Sequence, residues 1–132
     1  MNPPRPTSVK NHSLQWLTEE ASPIGVPLAR VITQVQHGSP ITLGLAHLAP
    51  GQTSRWWSFE ETNQHRPDEA FLGARDETYY VVRGTLRLTW NEGVLEIGPG
   101  DAVHLPSGWH YRLENIGESD ALIVYNLYPA LV

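Results

Sequence analysis

From residue 14 onward, apolar positions come in short runs, and nearly every run ends at Gly, Pro, Asn or Asp. This pattern predicts β-strands at 14–17, 28–35, 41–48, 77–82, 85–90, 93–97, 102–105, 110–114 and 121–127. Turn residues separate the later strands: Arg83-Gly84, Asn91-Glu92-Gly93, Gly98-Pro99-Gly100, Pro106-Ser107-Gly108 and Asn115-Ile116-Gly117. No segment sustains a helical period. Many short strands with this punctuation imply an all-β sandwich or barrel. The run at 121–127, ALIVYNL, is broken only by Asn126, so it belongs inside a sheet or across a subunit interface.

Two segments fall outside the strand pattern. Residues 1–11 hold three prolines and mostly polar side chains, and read as a flexible arm before a single domain at 12–132. Residues 52–76 are too polar for a core strand and too long for a tight connection. They read as an inserted loop of the lid, binding or interface kind. Within it, Pro67-Asp68-Glu69 has the chemistry of a helix start.

Composition narrows the function. The chain has 132 residues, enough for one packed core. It has no cysteine, which excludes disulfides, thiolate catalysis and cysteine-ligated metal. The net charge is −5 and Lys10 is the one lysine, so nucleic acid is not an expected partner. No apolar run reaches the length of a membrane span, and the N-terminus lacks the apolar centre of a signal peptide. The expectation is a soluble, cytoplasmic protein with no membrane partner.

The most specific signal lies at Gly100–Asn115, where Gly100, Pro106, Gly108 and Asn115 are spaced Gly-x5-Pro-x-Gly-x6-Asn. Each has a local reading: the glycines and proline make turns, and the Asn amide can close a loop. Upstream, Glu77 and Gly84 are separated by six residues. Together these residues resemble the two motifs of the cupin superfamily. The resemblance covers about residues 41–128 and implies a double-stranded β-helix, the jelly-roll or cupin barrel. In that family the first motif carries His-x-His before the glutamate, and the second carries a histidine between its glycine and asparagine. Here the second-motif position is Tyr111, with His110 beside it. Counting forward from Gly51 places Trp57 and Phe59 at the first-motif histidine positions, and counting back from Glu77 finds no ligand either. Of the implied ligands, Glu77 alone transfers.

The chemistry therefore has competing readings. In the first, the barrel holds an acid–base pocket without metal. Alternation puts Glu77 and Tyr79 on one face, and Tyr111 with His104 would complete a catalytic set for an isomerase, cyclase or lyase-like reaction. Trp56, Trp57, Trp109, His47 and Arg87 are the candidate ligand-binding residues, the tryptophans as an aromatic rim and Arg87 as a partner for the Glu77 carboxylate. In the second, a divalent iron, manganese or zinc is held by Glu77 with His47, His104, His110 or His65, as in a metal-dependent oxygenase. In the third, the barrel binds or senses a small organic ligand without turnover. The first is favoured, and the resemblance implies a homodimer.

Overall fold

The computed structural model describes residues 2–59 and 69–132. Its eleven strands are β1 (Trp16–Leu17), β2 (Leu28–Ile32), β3 (Thr42–Leu48), β4 (Trp56–Ser58), β5 (Glu69–Phe71), β6 (Asp76–Arg83), β7 (Leu86–Trp90), β8 (Gly93–Ile97), β9 (Ala102–Leu105), β10 (His110–Asn115) and β11 (Ala121–Tyr128). They form a six-stranded sheet, β1-β2-β3-β11-β6-β9, and a five-stranded sheet, β5-β4-β10-β7-β8. All pairings are antiparallel except β4 with β5. The two sheets face each other as a jelly roll, as the strand pattern predicted.

Alternation fixes which side chains face inward. In β6, Glu77, Tyr79 and Val81 are buried while Thr78, Tyr80 and Val82 are exposed. In β10 the buried set is Tyr111, Leu113 and Asn115. β11 lies between β3 and β6, which explains its apolar composition. From one sheet Ala46, Leu48, Val81 and Ile123, and from the other Trp57, Leu86, Leu88 and Leu113, close the core. A fully buried side chain of Leu or Val size contributes roughly 1.5–3 kcal/mol, so this layer supplies most of the drive to fold.

The turns of the second motif are structural. Asn115 is buried; its Nδ2 donates to the carbonyls of Leu48 at 3.0 Å and Ser119 at 2.9 Å, and its Oδ1 accepts from the Gly117 N–H at 2.9 Å. Each buried carbonyl left bare would cost about 1–3 kcal/mol. Gly84 has φ +91°, and a Cβ there would collide with Ala121, so this turn requires glycine.

Three expectations are corrected. The strand expected at 28–35 stops at Ile32. A single helical turn, α1 (Gln34–His37), follows because the Thr33 hydroxyl accepts from the Gln36 N–H at 3.0 Å and caps it. Residues 52–76 are not wholly a loop: β4 and β5 pair within them, and Phe59 is fully buried. Glu69 begins a strand instead of lying in a short helix; Pro67 and Asp68 lie outside the described residues. Residues 2–10 carry no secondary structure. Among the described residues no helix is long and apolar enough to cross a membrane.

Candidate active site

Glu77 sits in mid-barrel. Its neighbours across the sheet are Leu127 of β11 and Leu105 of β9, and it is 5% exposed. Its Oε1 has no hydrogen-bond partner. Burial in this apolar layer raises the carboxyl well above its usual range, and hydrogen bonding from the Trp57 and Tyr79 side chains offsets only part of the rise. Burial thus favours the protonated, neutral form of this side chain over the carboxylate.

Aromatic rings surround it. Trp57, from the opposite sheet, lies 6.5 Å from Tyr79 and 5.8 Å from Tyr111 between ring centroids, both pairs tilted. Tyr79 is buried, and burial first, then the Glu77 charge, push its phenol well above the ordinary value. Tyr111 is pushed up to about 12 by burial and by Glu77; its hydroxyl donates to the Pro106 carbonyl at 2.5 Å. Tyr125 is also pushed up to about 12, mainly by burial, while Arg30 pulls it the other way. At pH 7 all of these hydroxyls keep their protons.

A cavity of about 30 Å³ adjoins Glu77, lined by Arg30, Trp57, Leu72, Tyr79 and Tyr125 among others. That is room for about two waters or a ligand group of similar size. Arg30 and Tyr125 are the functional candidates that the sequence reading missed. Arg30 lies in the apolar run LARVI, where parity is unreadable. A register shift between Arg30 and Ile32 leaves Val31 as an extra residue, the kind of bulge that re-aims side chains beside a site. Gly44 stands opposite Arg30, and the Tyr125 ring fills the space a Cβ would need there.

A second hollow, a cleft of about 200 Å³, opens between β8 and β9. Leu88, Trp90, Leu95, Val103, His104, Pro106, Trp109 and Tyr111 line it. The expected aromatic rim is therefore divided. Trp57 is a core residue in the wall of the small cavity, Trp109 lines the cleft, and Trp56 faces outward beneath the Arg112 guanidinium, 4.8 Å from the ring centroid.

The candidate histidines among the described residues turn away from Glu77. His47 is on the outer face of β3, its Nε2 3.3 Å from Asp120. His104 is on the outer face of β9, 61% exposed, its Nε2 3.6 Å from Asp76. Val103 and Leu105, which flank it, take the inner face. His110 has the opposite parity to Tyr111, and its backbone N–H donates to Asn91 Oδ1 at 2.6 Å. His65 lies outside the described residues. Arg87 does not reach Glu77; it bridges Glu96 at 3.6 Å and Glu114 at 3.4 Å on the outer face of β7.

The metal of the family finds no matching donor set among the described residues. Trp57 and Phe59, six and eight residues after Gly51, point inward and are buried where first-motif histidines are expected, and Tyr111 fills the second-motif position. An indole, a phenyl ring and a protonated phenol are not ligands for zinc, manganese or iron. Among the described residues no three His, Asp or Glu side chains gather to hold an ion.

Comparison with known proteins agrees with this architecture. The chain resembles the crystal structure of a predicted oxalate decarboxylase from Thermotoga maritima, at 17% identity and a TM-score of 0.70, over 93% of this chain and 99% of that one. It resembles KdgF from Halomonas sp. at 17% identity and 0.67, over 95% and 94%. A sugar phosphate isomerase from Silicibacter pomeroyi aligns at 18% identity and 0.62, over 92% and 75%. At such identities the likeness is one of fold. No curated protein matches the sequence. The profile described as "Cupin domain" matches residues 44–128, more than half the length, and on that match the chain belongs to the cupin domain family.

Proposed function

We propose that this cupin is a small-molecule enzyme that moves a proton with Glu77, in an isomerase, cyclase or lyase-like reaction. The observation that carries this reading is a buried carboxyl with an unpartnered oxygen, facing a cavity whose other polar walls are phenols and a guanidinium. A native fold keeps an unsatisfied acid in its interior at a cost, and sites of proton transfer are where such groups concentrate. In its protonated form, which burial favours, Glu77 is a general acid that can protonate a carbonyl oxygen or a leaving group. The carboxylate so formed takes a proton from the adjacent carbon, which resets the acid. Tyr79 and Trp57 hold the carboxyl in place through their polar hydrogens. The sugar phosphate isomerase among the structural neighbours is compatible with such chemistry.

The test is deuterium wash-in. A panel of small α-keto and α-hydroxy compounds, incubated with the protein in D2O, should show exchange at the carbon next to the carbonyl by proton NMR. Glu77→Gln should lower that rate about 100-fold or more while keeping the fold by circular dichroism. Equal exchange in both proteins would end the reading.

The outer face of the six-stranded sheet supports a homodimer. Leu43, Leu45, Leu122 and Val124 lie there beside Tyr80 and Val82, which are 51% and 44% exposed. Sedimentation velocity reads this directly, and a monomer at micromolar concentration would count against it.

A further inference from the structure

Two buried polar atoms on the Glu77 cavity lack partners: Glu77 Oε1 and Arg30 Nε. No ion pair joins Arg30 to Glu77 or to any other carboxylate of the described residues. Arg30 instead reaches the Tyr125 hydroxyl. It also lines the larger groove beneath the N-terminal segment, formed with Leu14, Trp16, Val31 and Val132. Arg30 thus lines both the outer groove and the inner cavity.

We propose that Arg30 and Tyr125 form an anion-binding subsite in the Glu77 cavity, and that the substrate enters past Arg30 with a small monocarboxylate at its reacting end. This assignment rests on the proton-transfer reading and names the substrate class for it. Three features carry it. The guanidinium Nε–H is a permanent donor, and the Glu77 carboxyl donates while it holds its proton. A carboxylate has two acceptor oxygens and a negative charge, so it accepts from both groups through charge-assisted bonds; an amide can form as many hydrogen bonds but brings no charge to the guanidinium. The charge balance agrees: Arg30 is the one cationic side chain among the described residues that line the cavity, and burial disfavours the charged form of Glu77, which suits a monoanion better than a phosphate dianion. A cavity of about 30 Å³ also limits the buried group to a few atoms.

The test uses acetate, acetamide and inorganic phosphate as probes at pH 7, each titrated against the full chain while the Trp57 indole N–H is followed by 15N NMR. Acetate should shift this resonance saturably, and acetamide and phosphate should bind more weakly. Arg30→Gln should weaken acetate about tenfold or more. Arg30→Lys should retain part of the binding, and Tyr125→Phe should weaken it by a smaller factor. If Arg30→Gln does not fold, the Lys and Phe variants decide. Acetate affinity unchanged in both, or acetamide binding as tightly as acetate, overturns the subsite. Phosphate binding tighter than acetate overturns the substrate class. Glu77→Gln should still bind acetate, because its amide replaces one donor with another. Arg30-dependent acetate binding without deuterium wash-in would leave the subsite standing and remove the proton-transfer reading; wash-in without such binding would do the reverse.

Discussion

Two hollows among the described residues of the barrel differ in character, and Trp57 and Tyr111, one in the wall of each, have ring centroids 5.8 Å apart. On the Trp57 side the space is about 30 Å³ and contains an acid, phenols and a guanidinium. On the Tyr111 side it is about 200 Å³ and walled by Leu88, Trp90, Leu95, Val103 and Trp109 together with His104 and Pro106. The smaller space has the buried acid and the guanidinium, and the larger one has the room. The contrast separates two kinds of energy. Around Glu77 the dominant quantity is the desolvation of a carboxyl. In the cleft it is dispersion and the removal of apolar surface from water.

The comparison breaks most completely if the wall is removed. Trp57→Ala should join the two spaces, lower stability by about 3–5 kcal/mol in urea, and admit water to Glu77. A loss below 1 kcal/mol would show that the indole is not the partition. A second measurement sharpens the electrostatic side. Glu77 ionises near 4.5 in the unfolded chain and well above that in the native one, so the native state keeps a proton that the unfolded state releases. Its contribution is fully present below the unfolded pKa and is lost as pH rises toward the native pKa, with a limiting slope of about 1.4 kcal/mol per pH unit. Urea midpoints of wild type and Glu77→Gln should therefore diverge above about pH 5, with the glutamine variant the flatter. Parallel profiles would mean the carboxyl is solvated. The smallest effect belongs to the cleft. Toluene should raise the melting temperature of wild type by a degree or two, as apolar cavities of roughly this size accept aromatic guests, and Leu95→Asp should remove that shift. A shift that survives the substitution would place the guest elsewhere.

Much of this was legible in the sequence because it is local. Gly84, Gly108 and Asn115 announce turns by their own conformational and hydrogen-bonding chemistry. Alternation placed Glu77 with Tyr79, and the motif spacing placed Tyr111 on the inner face. The histidines were harder. In β3 both faces are apolar, Leu43 and Leu45 outside and Ala46 and Leu48 inside, so nothing in the strand says which way His47 turns. His104 was readable in principle, since Val103 and Leu105 claim the interior on either side. Arg30 was hidden because its inward aim accompanies a one-residue bulge and a bare position on the neighbouring strand. Those are pairings between segments far apart in the chain, and a linear pattern does not record them. The strands β4 and β5 were missed for the same reason: three residues each, held by partners and not by propensity.

Gly44 bears most on how residues are ranked by importance. It donates nothing, carries no charge and touches no ligand, yet any side chain there would lift the phenol of Tyr125 off the strand and away from the guanidinium. The shape of the reacting chamber is thus partly written by a missing atom. A redesign that tries to widen or recharge this barrel has to leave that gap open.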